Sequence, residues 1–451
     1  MQSNGIFSEV SEMDMVDVIG GSCGGGWSSG VIIAISCLII TSCLNPFKTE
    51  FTNLPLFEYI ESFGLPGNTF CISNMNVLKI LDLNFTEDNL EAIKVLCICK
   101  LLLTSSSFLD KETLDLYLSI VEKNKYGKQI SYTNDEISVK ILNDYVPEFV
   151  GKIWYTNHCS EEIMNDVSTI TNQIIANYSK QIKEWEWLNT GSRYNLVEMI
   201  SKAKVLVGHS SFSDYSKLEL KESFFESILE VIKYEKHLQK EKLFTTFDAY
   251  EWIMPPQICN AYYNSTNNSI NICAGYIYGS GYNINWSFEK KMACIGSIIS
   301  HEISHVFCMY NFNDGSLIHR LLSGDDQKIL QEKLNSLADL FSAHEILPGN
   351  YFKGKYCQGE IGADFFAMNF MMNYSKDFPG FDYKKFFETY AEISFEKYSE
   401  EIQNIYMNSD SHPPYYLRVN GILQQFDEFY ETYNIQKKDG MYLSEKNRVK
   451  L

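Results

Sequence analysis

The chain has 451 residues, 45% of them hydrophobic and 21% charged, which leaves room for two domains with an ample core and excludes a disordered protein. Its 38 basic and 57 acidic side chains give a formal charge of −19, which argues against nucleic acid and against an anionic membrane surface as partners. Twelve cysteines are scattered with no C-x-x-C pair, so most are expected to be buried free thiols rather than a disulfide framework.

Residues 1–47 stand apart from the rest. Phe7, Val10, Met15 and Val18 lead into Gly20-Gly21 amid Glu9, Glu12, Asp14 and Asp17. This resembles a double-glycine leader, the type removed after the second glycine by bacterial peptide exporters; a plain acidic amphipathic start is the alternative. Ser22 to Phe47 carries no charge, and Val31 to Ile40 is strongly apolar. A spanning helix needs about 20 apolar residues, so Trp27 to Leu44 is borderline. Ile40-Thr41-Ser42-Cys43 also resembles a lipobox, although no basic residue precedes it and the first lysine is Lys48. All three readings place the remaining chain outside the cytoplasm of a bacterium, exported or membrane-anchored.

From 48 to 250 the pattern is mostly helical. Phe224, Phe225, Ile228, Leu229 and Ile232 recur at three- and four-residue spacing. Trp185, Trp187 and Leu188 lead into a helix start at Thr190, and structural core is the default role for these aromatics.

Residues 251–451 carry the chemistry. In His301-Glu302-Ile303-Ser304-His305, positions i and i+4 lie on one helical face, so both imidazoles can ligate one Zn²⁺. Glu302, one residue round, can reach a water on the metal. Catalytic zinc takes a third protein ligand, and two downstream segments compete to supply it. Asn335 to Asp339 offers a lone carboxylate, whereas Glu360-Ile361-Gly362-Ala363-Asp364 offers two on one face. Glu360 would bind the metal, and Asp364 would accept a hydrogen bond from the non-ligating nitrogen of a histidine. His158, His209, His237, His319 and His344 lack metal-spaced partners.

These residues resemble the neprilysin and endothelin-converting-enzyme family of zinc peptidases, whose H-E-x-x-H is followed by a G-E-N-x-A-D helix. Further blocks share the resemblance in the family's order: Asn260-Ala261-Tyr262-Tyr263, Ala274-Gly275, Asp410-Ser411-His412-Pro413-Pro414 and Arg418-Val419-Asn420-Gly421. Cys273 stands where the family has proline. Cys308 stands where it has an aspartate that supports the site, and losing such a partner typically costs ~10–100-fold in affinity or rate.

The resemblance implies a mainly α fold with a small β-sheet: a thermolysin-like catalytic domain over 251–451 and a reduced helical cap over 48–250. It also implies one Zn²⁺ per chain on His301, His305 and Glu360, with Glu302 as general base and Asp364 as supporting carboxylate. His412 and Arg418 would stabilise the oxyanion and hold the substrate backbone, and Asn260 and Ala261 would line the cleft. By themselves, His412 before two prolines also reads as a loop residue and Asn260 as a turn residue.

The expected activity is zinc-dependent endopeptidase action on oligopeptides, on the amino side of apolar residues. Two alternatives stay open: a weak or inactive relative that binds peptides, suggested by Cys308 and the short N-terminal half, and a maturation or immunity factor in a bacteriocin-like system. The intact Glu302 speaks against a binding-only role. Composition leaves the oligomeric state open.

Overall fold

The computed structural model describes residues 38–39, 53–54, 71–72, 75–123, 132–209, 211–244, 248, 250–308 and 320–451. The leader reading, the lipobox at Cys43 and the apolar run lie outside these residues, except that Leu38–Ile39 pairs antiparallel with Cys71–Ile72.

In chain order the principal elements are α1 (Met75–Asn84), α2 (Leu90–Ser105), α3 (Lys111–Tyr117), α4 (Asn134–Tyr145), α5 (Pro147–His158), α6 (Glu161–Ile182), α7 (Thr190–Ser201) and β1 (Lys204–Gly208). There follow α8 (Phe224–Phe244), β2 (Ala261–Asn264), β3 (Ser269–Cys273), α9 (Ser297–Cys308), α10 (Gly324–Ser342), α11 (Gln358–Ser375), α12 (Tyr383–Ile393) and α13 (Tyr415–Leu423). The fold is thus mainly helical with a small mixed sheet, as the resemblance implies.

Two compact units interleave along the chain, Met1–Val150 with Phe212–Asp248, and Gly151–Ser211 with Ala249–Leu451. The sequence reading draws one boundary at 250 instead. Residues 151–211 fall in the second unit because β1 pairs in parallel with β3, Val207 opposite Ile272, making it part of the same sheet. That pairing joins residues far apart in sequence, which local periodicity does not register.

The first unit holds a small cluster of Phe108, Ile141, Tyr145, Val146, Ile228 and Val231. Helix α4 starts at a capping box, where Thr133 and Glu136 satisfy each other's backbone donors. Helix α2 leaves Val95, Leu96, Ile98, Leu101 and Leu102 exposed. No single helix among the described residues is long and apolar enough to cross a membrane; Glu87–Phe108 and Lys111–Val121, bent by 115°, meet that length and composition together.

The second unit is built round α11. Nearly every residue from Gly359 to Ser375 is buried, so this helix is enclosed on all sides rather than on one stripe. Small residues let its neighbours close in: a β-carbon at Gly362 would stand 2.4 Å from Leu334 Cδ2 of α10 and 3.2 Å from Cys308 Sγ of α9. Helix α6 packs through Val167, Ile170, Ile174, Tyr178 and Ile182, an apolar face at helical spacing. In the sheet, β3 lies between β1 and β2, with β2 antiparallel to it and Ala261 opposite Ile272. Among the described cysteines, Cys273, Cys294, Cys308 and Cys357 are buried free thiols, while Cys97, Cys99 and Cys259 are exposed.

Candidate active site

Helix α9 presents His301 and His305 one turn apart, their rings 4.6 Å apart and nearly perpendicular. A five-residue π-helical turn, Met292–Gly296, is wholly buried immediately before α9. His301, Glu302 and His305 each offer a ligand atom within 4.8 Å of the others, a cluster able to hold one Zn²⁺. From α11, the Glu360 carboxylate comes 3.1 Å from His301 Nε2 and 3.7 Å from His305 Nε2. Asp364, one turn on, meets His301 Nδ1 at 2.7 Å.

Charge balance fixes the tautomer. Burial works against the Asp364 charge, but the Arg418 guanidinium and His301 outweigh it and hold the carboxyl at about 2. Arg418 donates to it twice, from Nε to Oδ2 and from Nη2 to Oδ1, at 2.7 Å each. An ionised carboxylate only accepts, so His301 Nδ1 carries the proton and donates. His301 Nε2 then faces the Glu360 carboxylate, which burial opposes but His305, His301 and His412 keep well below the usual range. At 3.1 Å, Nε2 and the carboxylate share either a proton or a metal ion.

In the metal-free protein that cation is a proton. Burial disfavours it, yet Asp364 and Glu360 raise the His301 pKa to about 10. His305 is pushed by burial down to about 4 and is neutral at pH 7, the form that ligates a metal. Neutral imidazole nitrogens with a carboxylate form a donor set that suits Zn²⁺.

Glu302 is buried among these groups, and burial, countered by His301, lifts its pKa to about 7. The backbone N–H of Tyr263 on β2 donates to its carboxylate. His412 arrives from the loop before α13, its Nε2 3.4 Å from Glu360 Oε2. Asp410 fixes it by accepting from its backbone N–H at 2.8 Å and meeting its Nδ1 at 2.9 Å.

Asn260 and Ala261 stand at the start of β2, where the Asn260 side chain accepts from the Ala261 N–H at 2.8 Å. The Ala274-Gly275 step has a steric reason here: a β-carbon on Gly275 would lie 2.5 Å from the carbonyl oxygens of Gln257 and Ile258. Only glycine lets the turn at Gln257 and Ile258 run so close, and that turn leads directly into Asn260.

The fold therefore gathers His301, Glu302, His305, Glu360, Asp364, His412 and Arg418, with Ala261 at the start of the neighbouring strand and Asn260 immediately before it. Asp339, in the competing segment, is exposed on α10. His158, stacked on Trp154, and His209, stacked on Trp252, take no part, nor do His237 and His344; His319 lies outside the described residues. The sequence assigns Asp410 no role by itself, although an Asp two residues before a His is the signal for one. The Tyr263 N–H had no sequence signal, since any residue supplies a backbone donor.

Two models described as peptidase family M13 match residues 44–210 and 260–449. The chain belongs to peptidase family M13. Among M13-like relatives, it is 26% identical over 378 residues to a neutral endopeptidase of Lactococcus lactis, covering 81% of this chain and 59% of that protein. It is 24% identical to human neprilysin over 359 residues, 72% of this chain and 48% of neprilysin. In fold it is similar to the zinc metalloprotease Zmp1 of Mycobacterium tuberculosis, solved with an inhibitor, at a TM-score of 0.80 and 21% identity, covering 90% of this chain and 64% of the other. The chain thus spans roughly half to three fifths of the length of these curated relatives.

Proposed function

We propose that the chain is a zinc-dependent endopeptidase acting on oligopeptides, with His301, His305 and Glu360 holding one Zn²⁺ and Glu302 as general base. The observation that carries this reading is the clustering of His301, Glu302 and His305, whose ligand atoms lie within 4.8 Å of one another, with the Glu360 carboxylate 3.1 Å from His301 Nε2. When bound, zinc supplies Lewis acidity to a water and to a scissile carbonyl.

The chain's own residues do the rest. Glu302, with a pKa near neutrality, is suited to take a proton from water and pass it to the leaving amine. Asp364 holds His301 in the ligating tautomer. His412, oriented by Asp410, donates to the oxyanion. Arg418 spends Nε and one Nη2 hydrogen on Asp364, so its contact with a substrate carbonyl comes from the remaining Nη hydrogens rather than from the whole fork.

Strand β2 supports the roles of Asn260 and Ala261. Cys273 N donates to Asn260 O, so by antiparallel alternation the backbone groups of Ala261 and Tyr263 turn away from β3. An extended peptide added along that edge would lie beside Glu302, to which Tyr263 is bonded. We place the enzyme outside the cytoplasm, exported or held at the membrane through its N-terminal segment, on the sequence pattern of residues 1–47.

The test is cleavage of a quenched peptide library by the full chain, before and after treatment with a zinc chelator. Cleavage before apolar residues, abolished by chelation and restored by Zn²⁺, is expected. Cleavage indifferent to chelation would sink the proposal.

A further inference from the structure

We infer that Tyr178 is a positioning residue for the metal-binding turn: its hydroxyl pins the backbone between His301 and His305, and its ring spaces α9 from α11. The inference rests on the zinc reading of the site and concerns a residue more than 120 positions upstream of it.

Tyr178 lies on α6 and is fully buried. Its hydroxyl is 3.1 Å from the Ser300 carbonyl oxygen and 2.8 Å from Ser304 Oγ, and Ser304 Oγ itself donates to the Ser300 carbonyl at 2.8 Å. Ser300 immediately precedes His301, and Ser304 immediately precedes His305. The three oxygens therefore bracket the single turn that carries both imidazoles.

A helical carbonyl that accepts side-chain donors besides its own i+4 N–H tilts outward and bends the helix there. The Ser300 carbonyl only accepts and Ser304 Oγ already donates to it, so the single Tyr178 hydrogen is shared between that carbonyl and Ser304 Oγ. Burial pushes the phenol pKa far above its ordinary value, so this donor is never lost. Ser304 alone can bend the turn; Tyr178 ties the bend to a second helix.

The ring completes the tie. It stacks on Phe370 of α11, with centroids 3.9 Å apart and planes 12° from parallel. Helix α11 carries Glu360 and Asp364. One side chain therefore bears on both ligand-carrying helices, through its hydroxyl on α9 and its face on α11, and helps set the His301 to Glu360 separation. At the other end of that turn, where the family has an aspartate, Cys308 packs against Gly362 as a buried thiol. The polar anchor on α9 comes from α6 instead.

Tyr178→Phe keeps the ring stack and removes the hydroxyl. Ile174→Val, one turn away on the same buried face, is the packing control. Three quantities are measured on the full chain: the zinc dissociation constant by competition with a chromophoric chelator, the visible absorption of the Co²⁺-loaded protein, and Tm. Tyr178→Phe is expected to weaken zinc about tenfold and to shift the cobalt bands. Ile174→Val should lower Tm while leaving both metal readouts as in the wild type.

Ser304→Ala gives a second test should Tyr178→Phe not fold, and it too should weaken zinc. Wild-type zinc affinity and an unchanged cobalt spectrum in either folded variant would overturn the inference. Failure of the underlying zinc reading shows separately, as wild-type protein that retains no zinc, and it would overturn both.

Discussion

Arg418 closes Nε and Nη2 onto Asp364 at 2.7 Å each, while Asp364 takes the proton side of His301 at 2.7 Å, so a cation outside the His301, Glu302 and His305 cluster orients an imidazole inside it. Removing the charge at the centre of this chain breaks both links. Asp364→Asn should weaken zinc by about 10–100-fold. It should also cost about 3–5 kcal/mol of stability, because Arg418 is left buried without its counter-charge. Chelator competition and urea unfolding check the two effects independently.

Zinc loading should release protons. The His301 pKa is raised from its ordinary value of 6.5 to about 10, so its stabilising contribution is complete below about pH 6.5 and is lost as pH rises through about 10. Metal-free protein should therefore lose Tm between pH 7 and 10, a window in which the zinc-loaded protein stays level. At pH 8 Glu302, with its pKa near 7, is largely ionised already, so roughly one proton per zinc should leave, from His301. Calorimetry in buffers of different ionisation heat reads that number, and a release of zero would contradict the assignment.

His412 is held by Asp410 and reaches the site through Nε2. His412→Ala should lower kcat by about 10²–10³-fold with little change in KM, the pattern of a donor used mainly in the transition state. Asp410→Asn, which loosens the ring without deleting it, should show a smaller fall of the same kind. A change confined to KM would assign His412 to ground-state binding instead.

Gly275 is expected to be intolerant of a side chain. The alanine β-carbon would meet two backbone carbonyls at 2.5 Å, and neither can rotate away. Gly275→Ala should cost about 1–3 kcal/mol, and because the displaced turn leads into Asn260 and Ala261, KM should rise more than kcat falls. Thermal unfolding and steady-state kinetics separate the two.

The pairs that make up the candidate metal site were legible in the sequence because helical spacing converts directly into geometry: His301 with His305, and Glu360 with Asp364, need only 3.6 residues per turn. The helical character of the chain was legible for the same reason. What escaped was whatever depends on the third dimension. The parallel pairing of β1 with β3 joins Val207 to Ile272 and places residues 151–211 in the compact unit that holds the candidate site, and no local pattern announces it. The pairing of Arg418 with Asp364, which sits beside the substrate role the resemblance implies for it, follows from their burial together. Tyr178 looks like any other core aromatic until its hydroxyl is found between two serines of another helix.

The central claim is that Glu360 completes the metal site and Glu302 serves as the base, and the zinc content of three purified proteins, measured beside their peptide hydrolysis, tests it most directly. The account predicts one zinc per chain and activity in the wild type, full zinc without activity in Glu302→Gln, and loss of both in Glu360→Ala. Full zinc in Glu360→Ala together with loss of zinc in Glu302→Gln would exchange the two carboxylates and contradict it.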